Sequence, residues 1–207
     1  MRENKGLAGG SILCYGDSNT YGYDPRSCLG GRYPASVRWT GLLHAAGWAV
    51  VNAGENGRAI PRLAWEVEDA AGLLRRAGAR ALVVMLGTND LLQRPGLTAE
   101  RCAERMEAFL TALPGVASAV LPVLLIAPPP LAAGPWTADD GLLRESCRLA
   151  EGYRTLAEKL GVRFADAGAW GIELAFDGVH FSQNGHRAFG ENIGRELEAL
   201  LGPSLQA

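Results

Sequence analysis

Five short apolar runs recur along the chain, each four to six residues long: Ile12-Leu13-Cys14-Tyr15, Trp48-Ala49-Val50-Val51, Ala81-Leu82-Val83-Val84-Met85-Leu86, Val123-Leu124-Leu125-Ile126-Ala127 and Val162-Arg163-Phe164-Ala165. They are too short and too continuous for amphipathic helices, and read as strands buried on both faces. The segments between them carry a helical period instead. Residues 62–77 place Leu63, Val67, Ala70, Leu73, Leu74 and Ala77 on one stripe, and Gly78 closes the run. A helix starting near Thr98 buries Ala99, Cys102, Met106, Phe109 and Leu113 before Pro114-Gly115 ends it. Residues 139–160 align Leu142, Leu143, Cys147, Leu149, Tyr153, Leu156 and Leu160. Further helices are expected over 37–46, stopped by Gly47, and over 183–201, stopped by Gly202-Pro203. Strands alternating with helices imply right-handed crossovers and an α/β fold, a parallel sheet with helices on both faces.

Composition narrows this picture without changing it. The chain has 207 residues, 48% of them hydrophobic and 20% charged, enough for one domain with a sizeable core. Residues 1–10 are charged and then glycine-rich, so they read as a flexible arm ahead of a single domain over 11–207. A net charge of −2 offers no basic footprint for nucleic acid. No apolar run approaches the ~18 residues of a membrane span, and the N-terminus lacks a signal-peptide pattern, so a cytoplasmic location is expected. Cys14, Cys28, Cys102 and Cys147 are far apart and read as free thiols, two of them on apolar helix faces.

The candidate chemistry lies where the strands stop. The first strand breaks at Gly16 into Asp17-Ser18-Asn19-Thr20, the second runs into Asn52-Ala53-Gly54, and the third into Gly87-Thr88-Asn89-Asp90. A fourth polar turn, Asp177-Gly178-Val179-His180, precedes the last helix. An open α/β sheet presents ligand-binding groups at this carboxyl edge. Acyl transfer needs a nucleophile, a base, a group orienting the base, and oxyanion donors. Ser18 supplies the hydroxyl. His180 supplies the imidazole, and Asp177, three residues earlier, can hold its Nδ1–H. The side chain of Asn89 and the backbone N–H groups of Gly54 and Ser18 are the candidate oxyanion donors. Of the other two histidines, His44 and His186 lie in helices and fit structural or surface roles, while Asp17 and Asp90 read as residues that hold the turns.

These four blocks, in this order, resemble the SGNH hydrolases, the GDSL esterase/lipase family. Arg38-Trp39-Thr40-Gly41, Met85 to Asp90 and Ala127-Pro128-Pro129-Pro130-Leu131 are similar to its arylesterase and acyltransferase branch. The resemblance implies a three-layer α/β/α, flavodoxin-like five-stranded parallel sheet. It also implies Ser18, Asp177 and His180 as the catalytic set, and Ser18, Gly54 and Asn89 as the oxyanion hole. Asn19 stands where the family name has leucine. Two intervening segments look shorter than in the branch's ring-like oligomers, so that assembly is not carried over and a homo-oligomer is left open. No cofactor and no metal are expected, the partner being a small-molecule ester. A sugar O-deacetylase of the same fold is the alternative. A nucleotide-binding or catalytically silent flavodoxin-like module is the rival from another class, and it lacks both a G-x-G-x-x-G and a P-loop. The irregular stretches 21–36 and 128–139 suit a shallow cleft walled by Tyr21, Tyr23, Pro128, Trp136, Val179 and Phe181, and hence a short acyl group.

Overall fold

The structure, a computed structural model, describes residues 10–27, 31–137 and 139–202. The expected arm therefore lies outside the described residues, apart from Gly10, and so does Cys28. Five strands form one sheet: β1 (Ser11–Gly16), β2 (Val50–Gly54), β3 (Ala79–Met85), β4 (Val123–Ala127) and β5 (Arg163–Asp166). Their order is β2-β1-β3-β4-β5 and every pairing is parallel. The chain thus winds first to one side of β1 and then to the other. The reversal leaves a crevice at the carboxyl ends of β1 and β3, as open α/β sheets do at a switch of strand order.

The continuous apolar runs are explained by the two cores. Leu13, Tyr15, Leu82, Val84, Val123 and Leu125 face one cluster, while Ile12, Cys14, Ala81, Val83, Leu124 and Ile126 face the other. Alternate residues point to opposite faces, and both faces are covered. Helices α3 (Ala64–Arg76), α5 (Ala99–Ala112) and α6 (Asp140–Leu160) cover the first face. Helices α2 (Trp39–Ala45) and α7 (Gln183–Leu201) cover the second. Each fully buried leucine or isoleucine in these layers contributes roughly 1.5–3 kcal/mol of transfer free energy.

Three of the long helices start at side-chain caps. Thr98 accepts from Arg101 N, Asp139 from Leu142 N and Ser182 from Gly185 N. Two short helices were not visible as periodicity: α1 (Ser18–Tyr21) and α4 (Thr88–Gln93). The segments expected as polar turns after β1 and β3 are in fact the first turns of these helices, each too short to show a stripe. The second strand begins at Val50 and not at Trp48, which is buried against α2 and α7. On α6 the buried side is Ser146, Leu149, Tyr153, Leu156 and Ala157, so Cys147 is exposed and not part of the apolar face. Ser146 is accommodated there because its hydroxyl donates to Leu143 O and accepts from Leu131 N. Among the described residues, no helix is long and apolar enough to cross a membrane.

Candidate active site

Ser18 is the first residue of α1, delivered by the buried strand β1. Asp17 caps that helix through Asn19 N at 2.9 Å and is itself buried. Burial pushes the Asp17 carboxyl up to about 6, against the hydrogen bond from Asn19 N. The loop before α7 meets Ser18 from the opposite side of the crevice. His180 Nε2 lies 2.9 Å from Ser18 Oγ, and His180 Nδ1 lies 2.6 Å from Asp177 Oδ2. Burial alone would raise the Asp177 carboxyl. The hydrogen bonds from the His180 ring and from the His180 and Val179 N–H groups outweigh it, holding the carboxyl below the usual range. An ionised carboxylate only accepts, so Nδ1 carries the proton and donates to Asp177. Nε2 is then the acceptor for the Ser18 hydroxyl. The three side chains form one hydrogen-bonded line across 162 residues of sequence.

Beside this line lies a cleft of about 440 Å³, lined by Ser18, Tyr23, Asn56, Gly57, Asn89, Leu92, Trp136, Val179 and His180. Asn89 is the second residue of α4. Its amide donates one hydrogen to Arg58 O at 3.1 Å, leaving the other for the cleft. Gly54 ends β2 at the expected edge of the sheet, but its N–H is not open to the cleft. Its N–H donates to Asn52 Oδ1 at 3.0 Å, and a side chain there would meet Tyr21 N at 2.1 Å. The glycine is required by close packing of β2 against α1, and Gly54 does not line the cleft. Gly57 does. It adopts φ +76°, its carbonyl accepts from Gln93 Nε2 at 2.7 Å, and its N–H has no acceptor among the described residues. The Asn56-Gly57 pair, a turn dipeptide favouring positive φ, was the available sequence signal.

Arg58 locks this loop. Its guanidinium donates to Gly16 O at 3.0 Å and also to Ala53 O, lies 4.2 Å from the centre of the Tyr15 ring, and pairs with Glu55 at 2.6 Å. Asp90 is more than a local turn residue. Its buried carboxylate accepts from Ile60 N at 2.8 Å and from Arg105 at 2.9 Å, tying α4 to the Gly57 loop and to α5.

The expected cleft walls divide. Tyr23, Trp136 and Val179 line the cleft, with the Tyr23 and Trp136 rings 4.6 and 5.6 Å from the His180 ring. Tyr21, Pro128 and Phe181 do not. Tyr21 sits at the far end of α1 under the Arg32 guanidinium, and Pro128 is buried at the end of β4. Phe181 is fully buried, packed against Phe189 and His186, in a segment that bridges to Leu174. Leu92 and Asn56 were not anticipated as lining. His186 is also fully buried, whereas His44 is exposed.

Residues 14–188 match the model of the GDSL-like lipase/acylhydrolase family. The chain belongs to that family. No curated protein matches it. Among solved structures, the M. smegmatis aryl esterase is 29% identical with a TM-score of 0.81, covering 93% of this chain and all of that one (100%). Est24, a carbohydrate acetylesterase from Sinorhizobium meliloti, is 28% identical with a TM-score of 0.79, covering 93% and 100%. A further carbohydrate acetylesterase family member from the same organism is 29% identical with a TM-score of 0.77, covering 94% and 100%. Family and fold thus agree on an SGNH hydrolase of the esterase type.

Proposed function

We propose that this carboxylic ester hydrolase works through an acyl-enzyme on Ser18. The observation that carries the reading is the continuous line from Ser18 Oγ to His180 Nε2 (2.9 Å) and from His180 Nδ1 to Asp177 (2.6 Å) beside the cleft. Neutral His180 takes the Ser18 proton as Oγ attacks the ester carbonyl, and Asp177 stabilises the imidazolium that forms. The carbonyl oxygen becomes an oxyanion facing three donors: Ser18 N–H, Gly57 N–H and the free amide hydrogen of Asn89. The C–O bond to the alcohol breaks, and the alcohol leaves with the proton from His180. Water then repeats the sequence: His180 takes its proton, hydroxide attacks the acyl carbon, and Ser18 Oγ leaves with that proton. Incubation with a fluorophosphonate is expected to add one phosphonyl group to Ser18, and Ser18→Ala is expected to remove both label and activity. Labelling elsewhere, or full activity in that variant, overturns the reading.

The acyl group is short, because the apolar walls Tyr23, Leu92, Trp136 and Val179 beside Ser18 belong to a cleft of only about 440 Å³. One observation favours an O-acetylated sugar as a second reading. A polar groove shares Asn56 and Gly57 with the cleft and carries Arg62, Asp69, Gln93, Arg94 and the exposed indole of Trp65. p-Nitrophenyl esters from acetate to palmitate, assayed beside acetylated sugars, separate the cases. A buried chain gains roughly 0.8 kcal/mol for each methylene, so kcat/KM rising steadily to octanoate would refute the short-acyl reading.

A further inference from the structure

We propose that Asn19 is a positioning residue that registers the His180 turn on Ser18; this rests on the roles of Ser18 and His180 given above. Asn19 directly follows Ser18 and is 3% exposed. Its side-chain amide commits both ends to one segment. Oδ1 accepts from Phe181 N–H at 2.8 Å, and Nδ2 donates to Val179 C=O at 3.1 Å. Those are the peptide groups on either side of His180. With a backbone donor and a backbone acceptor as partners, the amide has only one orientation that satisfies both. The rest of Asn19 is held as well: its N–H donates to Asp17 Oδ1 at 2.9 Å, and its carbonyl accepts from Trp39 Nε1 at 3.0 Å.

The need for such a clamp follows from how the base is held. Asp177 fixes His180 from within its own turn, through the ring Nδ1–H and the backbone N–H groups of Val179 and His180. That makes Asp177–His180 a unit, but it does not set where the unit sits relative to Ser18. Among the described residues, the hydrogen bonds between the Ser18 turn and this unit are the Asn19 pair and the Ser18–His180 bond itself. The Ser18–His180 bond must break and re-form in each cycle, so the Asn19 pair is what keeps the register. Asn19 does not line the cleft, and its effect on the reaction runs through His180. A misplacement of ~1 Å at a reacting group costs about 10²-fold in rate.

The test is a double-mutant cycle on p-nitrophenyl acetate. Asn19→Leu keeps the branched outline of asparagine and deletes both hydrogen bonds. In the otherwise unaltered enzyme it is expected to lower kcat by about 10²-fold with KM within about threefold. In a His180→Ala background it is expected to change the residual rate by less than about twofold, because no base remains to be misplaced and the residue of catalysis comes from the oxyanion donors and binding. A folded Asn19→Leu with kcat within about threefold of the parent overturns the proposal. So does an equal loss in both backgrounds, which would assign Asn19 to the general framework of the cleft. If Asn19→Leu does not fold, Asn19→Asp, which keeps the acceptor for Phe181 N–H and loses the donor to Val179, is read by the same criteria. Failure of the underlying reading looks different: Ser18→Ala and His180→Ala would then retain activity whatever residue stands at position 19.

Discussion

Asn89 divides its amide between two tasks. One hydrogen is fixed on Arg58 O, which sets the plane of the group, and the second is left for the cleft beside Ser18. A donor fixed in this way costs no reorganisation when the oxyanion forms, and its benefit falls on the transition state. Asn89→Ala is therefore expected to lower kcat by about 10²–10³-fold with little change in KM. Steady-state kinetics on an aryl acetate read this directly, and a change confined to KM would make Asn89 a ground-state binding residue. At this scale the sequence was informative about the converging polar side chains and poor about backbone groups and the rings of the cleft wall. Ser18, Asp177, His180 and Asn89 were singled out and the fold brings them together. Gly54 was singled out and its N–H is occupied by Asn52, while Gly57 three residues later faces the cleft.

The short helix α4 has too few residues to hold itself in place, so its position is set by what Asp90 grips. One carboxylate oxygen takes Ile60 N–H from the loop carrying Gly57, and the other takes the Arg105 guanidinium from α5. Burial raises the Asp90 carboxyl, opposed by those two partners. Removing Arg105 leaves a fully buried carboxylate with one partner fewer, and Arg105→Leu is expected to cost about 3 kcal/mol at neutral pH. The sign with pH follows from the raised carboxyl. The native state takes up the proton at higher pH than the unfolded chain, so the cost shrinks as pH falls and Asp90 becomes neutral. Urea unfolding at two pH values checks both points, and an equal loss at each would place the cost in packing and not in the charge. Elements of this length are invisible to periodicity, which is why α1 and α4 read as turns while α5 and α6 were legible from their apolar stripes and caps.

Across the whole molecule, two buried titratable groups oppose each other. The His186 ring is enclosed by Tyr33 and Phe181, neither nitrogen has a hydrogen-bond partner among the described residues, and burial lowers it to about 4. Because its folded value lies below the unfolded one near 6.5, its contribution to stability is complete above that value and is lost as pH falls toward 4. Asp17, raised to about 6, acts in the other direction and favours the fold as pH falls. His186→Leu removes the first effect only. Between pH 7 and pH 5 the variant is expected to retain roughly 2 kcal/mol more stability than the parent retains. The comparison is between two pH values for each protein, so any packing cost of leucine cancels. Parallel pH profiles from thermal unfolding would contradict it.

The sequence by itself determined the class of fold, the order of its elements and the side chains that converge. Strand and helix periods are local, and polar groups set just after buried strands must emerge at one edge of a parallel sheet. The family was legible as a resemblance, carried by four separated blocks. Only the tertiary structure decided which N–H groups and which rings face the cleft. The N–H of Gly54 is consumed because Asn52 is drawn to Thr20 and Thr40, and Gly57 is turned outward partly by Gln93, contacts from 12 to 36 residues away. Phe181 packs into the core against Phe189 and His186, and the register of His180 on Ser18 spans 162 residues through Asn19 and the hydrogen bond itself. In irregular backbone no period links a residue's place in the chain to the side it faces, so remote partners set that direction.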